Sequence, residues 1–138
     1  MPEGVLDGAG RLAQSQLARA LGADAFASIE GEVRYLELAP GDVLMAEGDE
    51  ADELYLLLSG GLEVTIGADG EEQTLTRLEA GSTVGEIALL AGDRRSATVR
   101  AVEACHVAAI SDVGFRRLLA EHPAEAETLA RRASERLR

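Results

Sequence analysis

Glycine, glutamate, arginine and serine fall within a dozen residues of one another in Gly85-Glu86-Ile87-Ala88-Leu89-Leu90 and Arg95-Ser96-Ala97, a grouping that suits an anion. Gly85 lets the backbone approach a ligand closely. Glu86 to Leu90 read as a short helical run whose first N–H groups lack intrahelical acceptors, an arrangement that favours phosphate. Ten residues after Gly85, Arg95 offers a forked pair of donors to two phosphate oxygens, and Ser96 adds a hydroxyl. Glu86, on the same loop, can accept from a sugar hydroxyl. The same residues also admit a purely structural role, with Glu86 and Arg95 satisfying each other as an ion pair.

Such a cradle needs a rigid wall behind it, and the chain around it reads as short strands. Val33–Leu38 and Val43–Met45 flank the turn Ala39-Pro40-Gly41-Asp42. Residues 54–58 form an uninterrupted apolar run, the pattern of a strand covered on both faces. Ser59-Gly60-Gly61 is expected to turn it back onto Leu62, Val64 and Ile66, and Gly67-Ala68-Asp69-Gly70 to make the next hairpin before 74–78. Beyond the cradle, Ala97, Val99 and Ala101 alternate along an exit strand, and 107–110 is the last strand. Closely spaced strands separated by turn residues point to a sandwich or barrel.

Helical patterns lie at both ends. Residues 12–21 place Ala13, Leu17, Ala20 and Leu21 on one face with Gly22 as a stop, and a shorter helix carries Phe26 and Ile29 and ends near Gly31. Ser111 suits the N-cap of a helix bearing Phe115, Leu118, Leu119 and His122. Pro123 opens a final helix with Ala126, Leu129, Ala130, Ala133 and Leu137 on one face. The expected organisation is one domain: an N-terminal helical segment 1–32, a barrel 33–111 with the cradle at 84–97, and C-terminal helices 112–138.

Composition narrows the function. A chain of 138 residues, 46% hydrophobic and 28% charged, suits one globular domain with one real core. No apolar run is long enough for a bilayer and Met1-Pro2-Glu3-Gly4 is not a secretory start, so a cytoplasmic location is expected. Cys105, the lone cysteine, is expected to be buried and inert. A formal charge of -12 argues against direct binding to nucleic acid or to an anionic membrane, and leaves Arg94-Arg95 as one of the few places able to focus positive potential. All the basic residues are arginine, which fits a bacterial source. His106 and His122 have no metal-ligand spacing, the acidic loop 47–53 lacks the ligand order of a calcium-binding hand, and no metal or cofactor is expected. Without a nucleophile elbow or a second base beside Glu86, binding rather than catalysis is expected.

The ordered motif Gly85-Glu86-Ile87-Ala88-Leu89-Leu90, followed by Arg95-Ser96-Ala97-Thr98-Val99, resembles the phosphate-binding cassette of the cyclic nucleotide-binding domain family. The turns and strand at Pro40-Gly41-Asp42, Gly48, Leu54-Tyr55 and Ser59-Gly60 resemble the barrel of the same family, so the resemblance covers roughly 33–110. It is a resemblance to the sensor domains of catabolite-activator-type regulators and of kinase regulatory subunits, without a DNA-binding domain. The resemblance implies a mainly β fold with flanking helices: an antiparallel, jelly-roll-like β-barrel (double-stranded β-helix) with N-terminal helices, a short helix inside the cassette and two C-terminal lid or hinge helices. It also implies a regulatory domain for a cyclic nucleotide, cAMP in preference to cGMP. Glu86 would then bind the ribose 2′-hydroxyl, Arg95 the cyclic phosphate, and the backbone of Gly85, Ile87 and Ala88 would complete the cradle beside Ser96 and Ala97.

By the same resemblance the last helix closes over the base, so that Arg131 or Arg132 would cap it, whereas the residues alone read as a solvated helix end. Val84 stands where the family commonly has an aromatic and Arg94 where it commonly has proline. The expected partners are the nucleotide and an output domain or partner protein, and a homodimer is compatible with the pattern. Two other readings are a degenerate barrel kept for dimerisation or docking, and a small enzyme acting on a phosphate ester.

Overall fold

Apolar and β-branched residues concentrate in short segments between Val33 and Ser111, and in the computed structural model, which describes residues 8–67 and 70–137, these segments are strands. They are β1 (Val33–Leu38), β2 (Val43–Met45), β3 (Glu53–Ser59), β4 (Gly61–Ile66), β5 (Gln73–Glu79), β6 (Thr83–Val84), β7 (Thr98–Ala101) and β8 (Cys105–Ser111). Every ladder is antiparallel. One sheet runs β1-β8-β3-β6 and the other β2-β7-β4-β5, giving the jelly-roll-like barrel expected from the sequence. The helices are α1 (Gly8–Leu21), α2 (Ala23–Ile29), α3 (Glu86–Ala91), α4 (Asp112–Glu121) and α5 (Pro123–Leu137).

The two-residue period of a strand sends alternate side chains to opposite faces, and here both faces of β3 and β8 are used. Tyr55 and Leu57 with Val107 and Ala109 fill the barrel interior against Leu62, Val64, Val99 and Ala101. Their neighbours Leu54, Leu56, Leu58, Ala108 and Ile110 face the other way, into a second core built by the helices with Leu17, Ile29, Phe115, Leu118 and Leu129. This double burial is why 54–58 reads as continuous apolar sequence. Each fully buried Leu, Ile or Phe contributes about 1.5–3 kcal/mol, so the terminal helices are anchored to the barrel.

Several sequence-based expectations need correction. Ser59-Gly60-Gly61 is no hairpin turn: β3 pairs with β8 and β6, whereas β4 pairs with β5 and β7, so the chain changes sheets there. Alternation identifies the faces of a strand but not its neighbour. Gly60 makes the crossing possible, with φ at 97° and a position where a Cβ would strike the Ala104 carbonyl and lie 2.7 Å from Cys105 Sγ. The β4–β5 hairpin does form, in register from Gly61↔Glu79 to Ile66↔Gln73, with Ala68 and Asp69 outside the described residues. β6 was not anticipated, and β8 starts at Cys105 rather than 107.

The helices differ from expectation in detail. Ala20 is exposed, Leu119 is 40% exposed, and His122 ends α4 instead of extending its apolar face. The side chains of Ala133 and Leu137 lie outside the described residues. Ser111 caps α4 as expected, its Oγ accepting from the Gly114 N–H at 3.0 Å while donating to Glu32 at 2.7 Å. Cys105 is buried, and burial pushes its thiol above the ordinary range.

Candidate functional site

The turn into α3 is made by Gly85, whose φ of 93° is left-handed and which offers no side-chain cap. That geometry leaves the N–H groups of Glu86, Ile87 and Ala88 at a helix start without intrahelical acceptors. Gly85 is also crowded: a Cβ there would run into Nη1 of Arg95. Gly85→Ala is therefore expected to strain the backbone, push the guanidinium aside and weaken anion binding by about tenfold or more. Calorimetric affinities equal to wild type would show that the guanidinium is not held by this contact.

Arg95 is the centre of the site. Its backbone is fixed from both sides, with its N–H donating to Asp49 O at 2.8 Å and its carbonyl accepting from the Gly48 N–H at 2.9 Å. The residue is only 3% exposed. Nη1 donates to Gly85 O at 3.0 Å, Nη2 donates to Glu53 O at 2.5 Å, and the guanidinium carbon lies 5.4 Å from the Tyr55 ring centroid. Among the described side chains no carboxylate pairs with it. A buried cation whose described partners are carbonyl dipoles and an aromatic face keeps much of its attraction for an incoming anion. Burial pushes the Tyr55 hydroxyl upward, and Arg95 pulls it partly back.

Arg95 opens onto a cavity of about 260 Å³. Its lining includes Gly85, Ala88, Arg95, Ser96 and Ala97 of the cassette. The rest is an apolar wall in which Met45, Val64, Leu75 and Val99 are prominent. A cavity lined by a buried cation and otherwise mainly by hydrocarbon suits an anionic head joined to a flat, weakly polar body.

Five of the residues singled out in the sequence therefore converge on one cavity: Gly85, Ala88, Arg95, Ser96 and Ala97. Glu86 and Ile87 belong to α3, but their side chains lie outside the described residues, as does that of Arg132. Arg131 does not line the cavity; it is exposed on α5 and pairs with Glu127 at 2.6 Å, one turn back. Arg94 also turns away, donating to Gly48 O at 3.0 Å with Glu50 at 4.0 Å. Sequence reasoning missed Glu53 and Tyr55 as partners of Arg95. A faint signal existed, since Tyr55 is the one aromatic in the β3 sequence Glu-Leu-Tyr-Leu-Leu-Leu-Ser.

The family model of the cyclic nucleotide-binding domain matches residues 35–122, from within β1 to the end of α4, and includes every residue named as lining the cavity. The chain belongs to this family. As a cyclic nucleotide-binding domain it is 40% identical over 81 residues to the potassium channel KOR1 of Oryza sativa subsp. japonica, covering 58% of this chain and 9% of the channel. It is likewise 40% identical over 82 residues to the cAMP-activated global transcriptional regulator CRP of Salmonella typhimurium, covering 58% of this chain and 39% of that protein. The matched stretch thus spans well under half the length of these curated relatives. Among solved structures, the Thermus thermophilus catabolite activator protein superposes with a TM-score of 0.69 at 27% identity, over 84% of this chain and 55% of that one. A cAMP-binding acyltransferase from Mycobacterium smegmatis gives 0.71 at 29%, over 88% and 40%. The regulatory domain of Toxoplasma gondii PKA, solved with cAMP, shares the fold with a TM-score of 0.72 at 23% identity, over 91% and 49%. Among the described residues of this cyclic nucleotide-binding domain, no helix is long and apolar enough to cross a membrane and no cluster of acidic, His and Cys side chains is arranged to hold a metal ion.

Proposed function

We propose that this chain is a regulatory sensor that binds cAMP in preference to cGMP and changes the position of its C-terminal helices in response. The observation that carries the proposal is Arg95, a buried cation whose described partners are neutral and which lines an otherwise mainly apolar cavity. The cyclic phosphate would take the place of the two carbonyl oxygens at Nη1 and Nη2 and be joined by the amides from Gly85 to Ala88, with Glu86 on the ribose. The base would lie along Met45, Val64, Leu75 and Val99. Two similar proteins, one named as cAMP-activated and the other as cAMP-binding, support that ligand.

The proposed response is a population shift, limited by the ligand's preference for the closed state. Its support is that α3 packs against α5 and that Leu89 of α3 lies in the helical core with Phe115, Ala126 and Leu129. Movement of α3 on phosphate binding would then be felt by α4 and α5, and by an output domain or partner protein in the cytoplasm. Arg131, or Arg132, would reach the base only after such a movement.

Isothermal calorimetry with cAMP, cGMP and 5′-AMP tests the reading. Micromolar or tighter binding of cAMP, weaker binding of cGMP and weakest binding of 5′-AMP are expected. No heat from either cyclic nucleotide would sink the sensor reading. That outcome would favour the rival, a barrel kept for dimerisation or docking, which rests on the two carbonyl bonds that already satisfy part of Arg95 without any ligand.

A further inference from the structure

Behind the carbonyl that holds Arg95 lies an ion pair with no contact to the cavity. Arg34 on β1 reaches across β8, where its register partner is the small Ala109, to Glu53 at the start of β3. The contact is bidentate: Nε donates to Oε2 at 2.9 Å and Nη2 to Oε1 at 2.6 Å. The Arg34 side chain is 62% exposed, whereas that of Glu53 is 14% exposed. Glu53 is also the residue whose backbone oxygen accepts from Nη2 of Arg95.

A mostly buried carboxylate, on a side chain with three rotatable bonds, thus belongs to the residue whose backbone oxygen holds a buried guanidinium that has no carboxylate among the described side chains. If nothing held the carboxylate, the two charges would pair, because an unpaired charge in a desolvated site is the costly state. Such a pair would occupy the anion site from within. A half-exposed ion pair such as Arg34–Glu53 adds little to stability on its own. Its bidentate geometry instead sets the direction of the Glu53 side chain.

We infer that Arg34 is a positioning residue of the anion site: by holding both oxygens of Glu53 it keeps that carboxylate off Arg95 and leaves the guanidinium free for phosphate. In its effect on binding the inference rests on the proposed role of Arg95, but the exchange of ion-pair partners needs no ligand.

Two measurements on the full chain test it. In calorimetry with cAMP, Arg34→Ala is expected to bind about tenfold more weakly than wild type, and adding Glu53→Gln to Arg34→Ala is expected to bring the affinity back to within about threefold. Unchanged binding by Arg34→Ala overturns the inference. So does a double variant as weak as the single one, since that would make Arg34 a simple prop for β3. The second measurement is thermal unfolding without nucleotide, using Glu53→Gln and Arg95→Gln in cycles built with and without Arg34. The Tm changes are expected to be additive with Arg34 present and non-additive in the Arg34→Ala protein, where positions 53 and 95 come to interact. Additivity in both backgrounds overturns the inference even if wild type binds no cAMP, an outcome that would by itself sink only the sensor reading.

Discussion

Arg95→Ala is expected to lower affinity for cAMP by roughly 10²- to 10⁴-fold while leaving the chain folded. A charge-assisted hydrogen bond contributes about 1.5–3 kcal/mol, so losing two to a phosphate costs about 3–6 kcal/mol, which converts to that range. Stability should respond much less. Truncation leaves the carbonyls of Gly85 and Glu53 without their donors, but it also removes a buried cation, and the two effects oppose each other. A net change of no more than about 2 kcal/mol in urea unfolding is therefore expected. Arg95→Lys should lie between, because an ammonium keeps the charge and loses the planar fork. The assignment fails if Arg95→Ala binds cAMP as wild type does, and a loss of folding equal to the loss of binding would make the residue structural.

Leu89→Ala should have the opposite profile, with a large effect on stability and on coupling. Leu89 is 3% exposed and belongs to the helical core although its helix belongs to the cassette. Removing a buried leucine side chain typically costs 2–5 kcal/mol, of which about 3 kcal/mol is reasonable at a site where α3 meets β3 and α5 and can partly collapse. That is a large share of the 5–15 kcal/mol that domains of this size possess. Arg95 and the Gly85 turn remain, so cAMP should still bind, but with less effect on α5. The measurements are urea unfolding and the cAMP-dependent protection of the bond after Arg131 from trypsin. A loss below about 1 kcal/mol, with protection intact, would show that Leu89 does not connect the cassette to the helices.

The cassette could be read from sequence because its parts are local: Gly85, Ala88, Arg95 and Ser96 lie close together in the chain and line one cavity. Strands were readable for a similar reason, as alternation is a local pattern. What could not be read is whatever spans the chain. Glu53 lies 42 residues from Arg95 and contributes a backbone oxygen, a group that every residue carries and that no sequence pattern marks. The crossing at Gly60 looked like a hairpin because Gly-Gly after an apolar run suits both, and only the partners of β3 tell them apart. Leu119 has the spacing of a core residue in α4 but lies at the edge of the buried face, 40% exposed. Arginines near the end of α5 fit both a base cap and a solvated end, and Arg131 takes a partner within its own helix.

The strand β3, lined with apolar residues on both faces, has a consequence for how the molecule comes to exist. Its neighbours in the sheet are β8, about fifty residues later, and β6, near Val84, so none of its ladder partners is local. β1 waits for the same strand, since it pairs with β8 alone. A growing chain that has emerged only as far as the cassette therefore has β4 to pair with β5 and β3 with the two-residue β6, but neither of its cores can close. The arrival of β8 supplies both at once, with Val107 and Ala109 for the barrel and Ala108 and Ile110 for the helices. Closure of the barrel behind the cassette and completion of the helical core are thus one late event, and a chain ending before Cys105 would carry every lining residue of the cavity without the strand that joins the two cores.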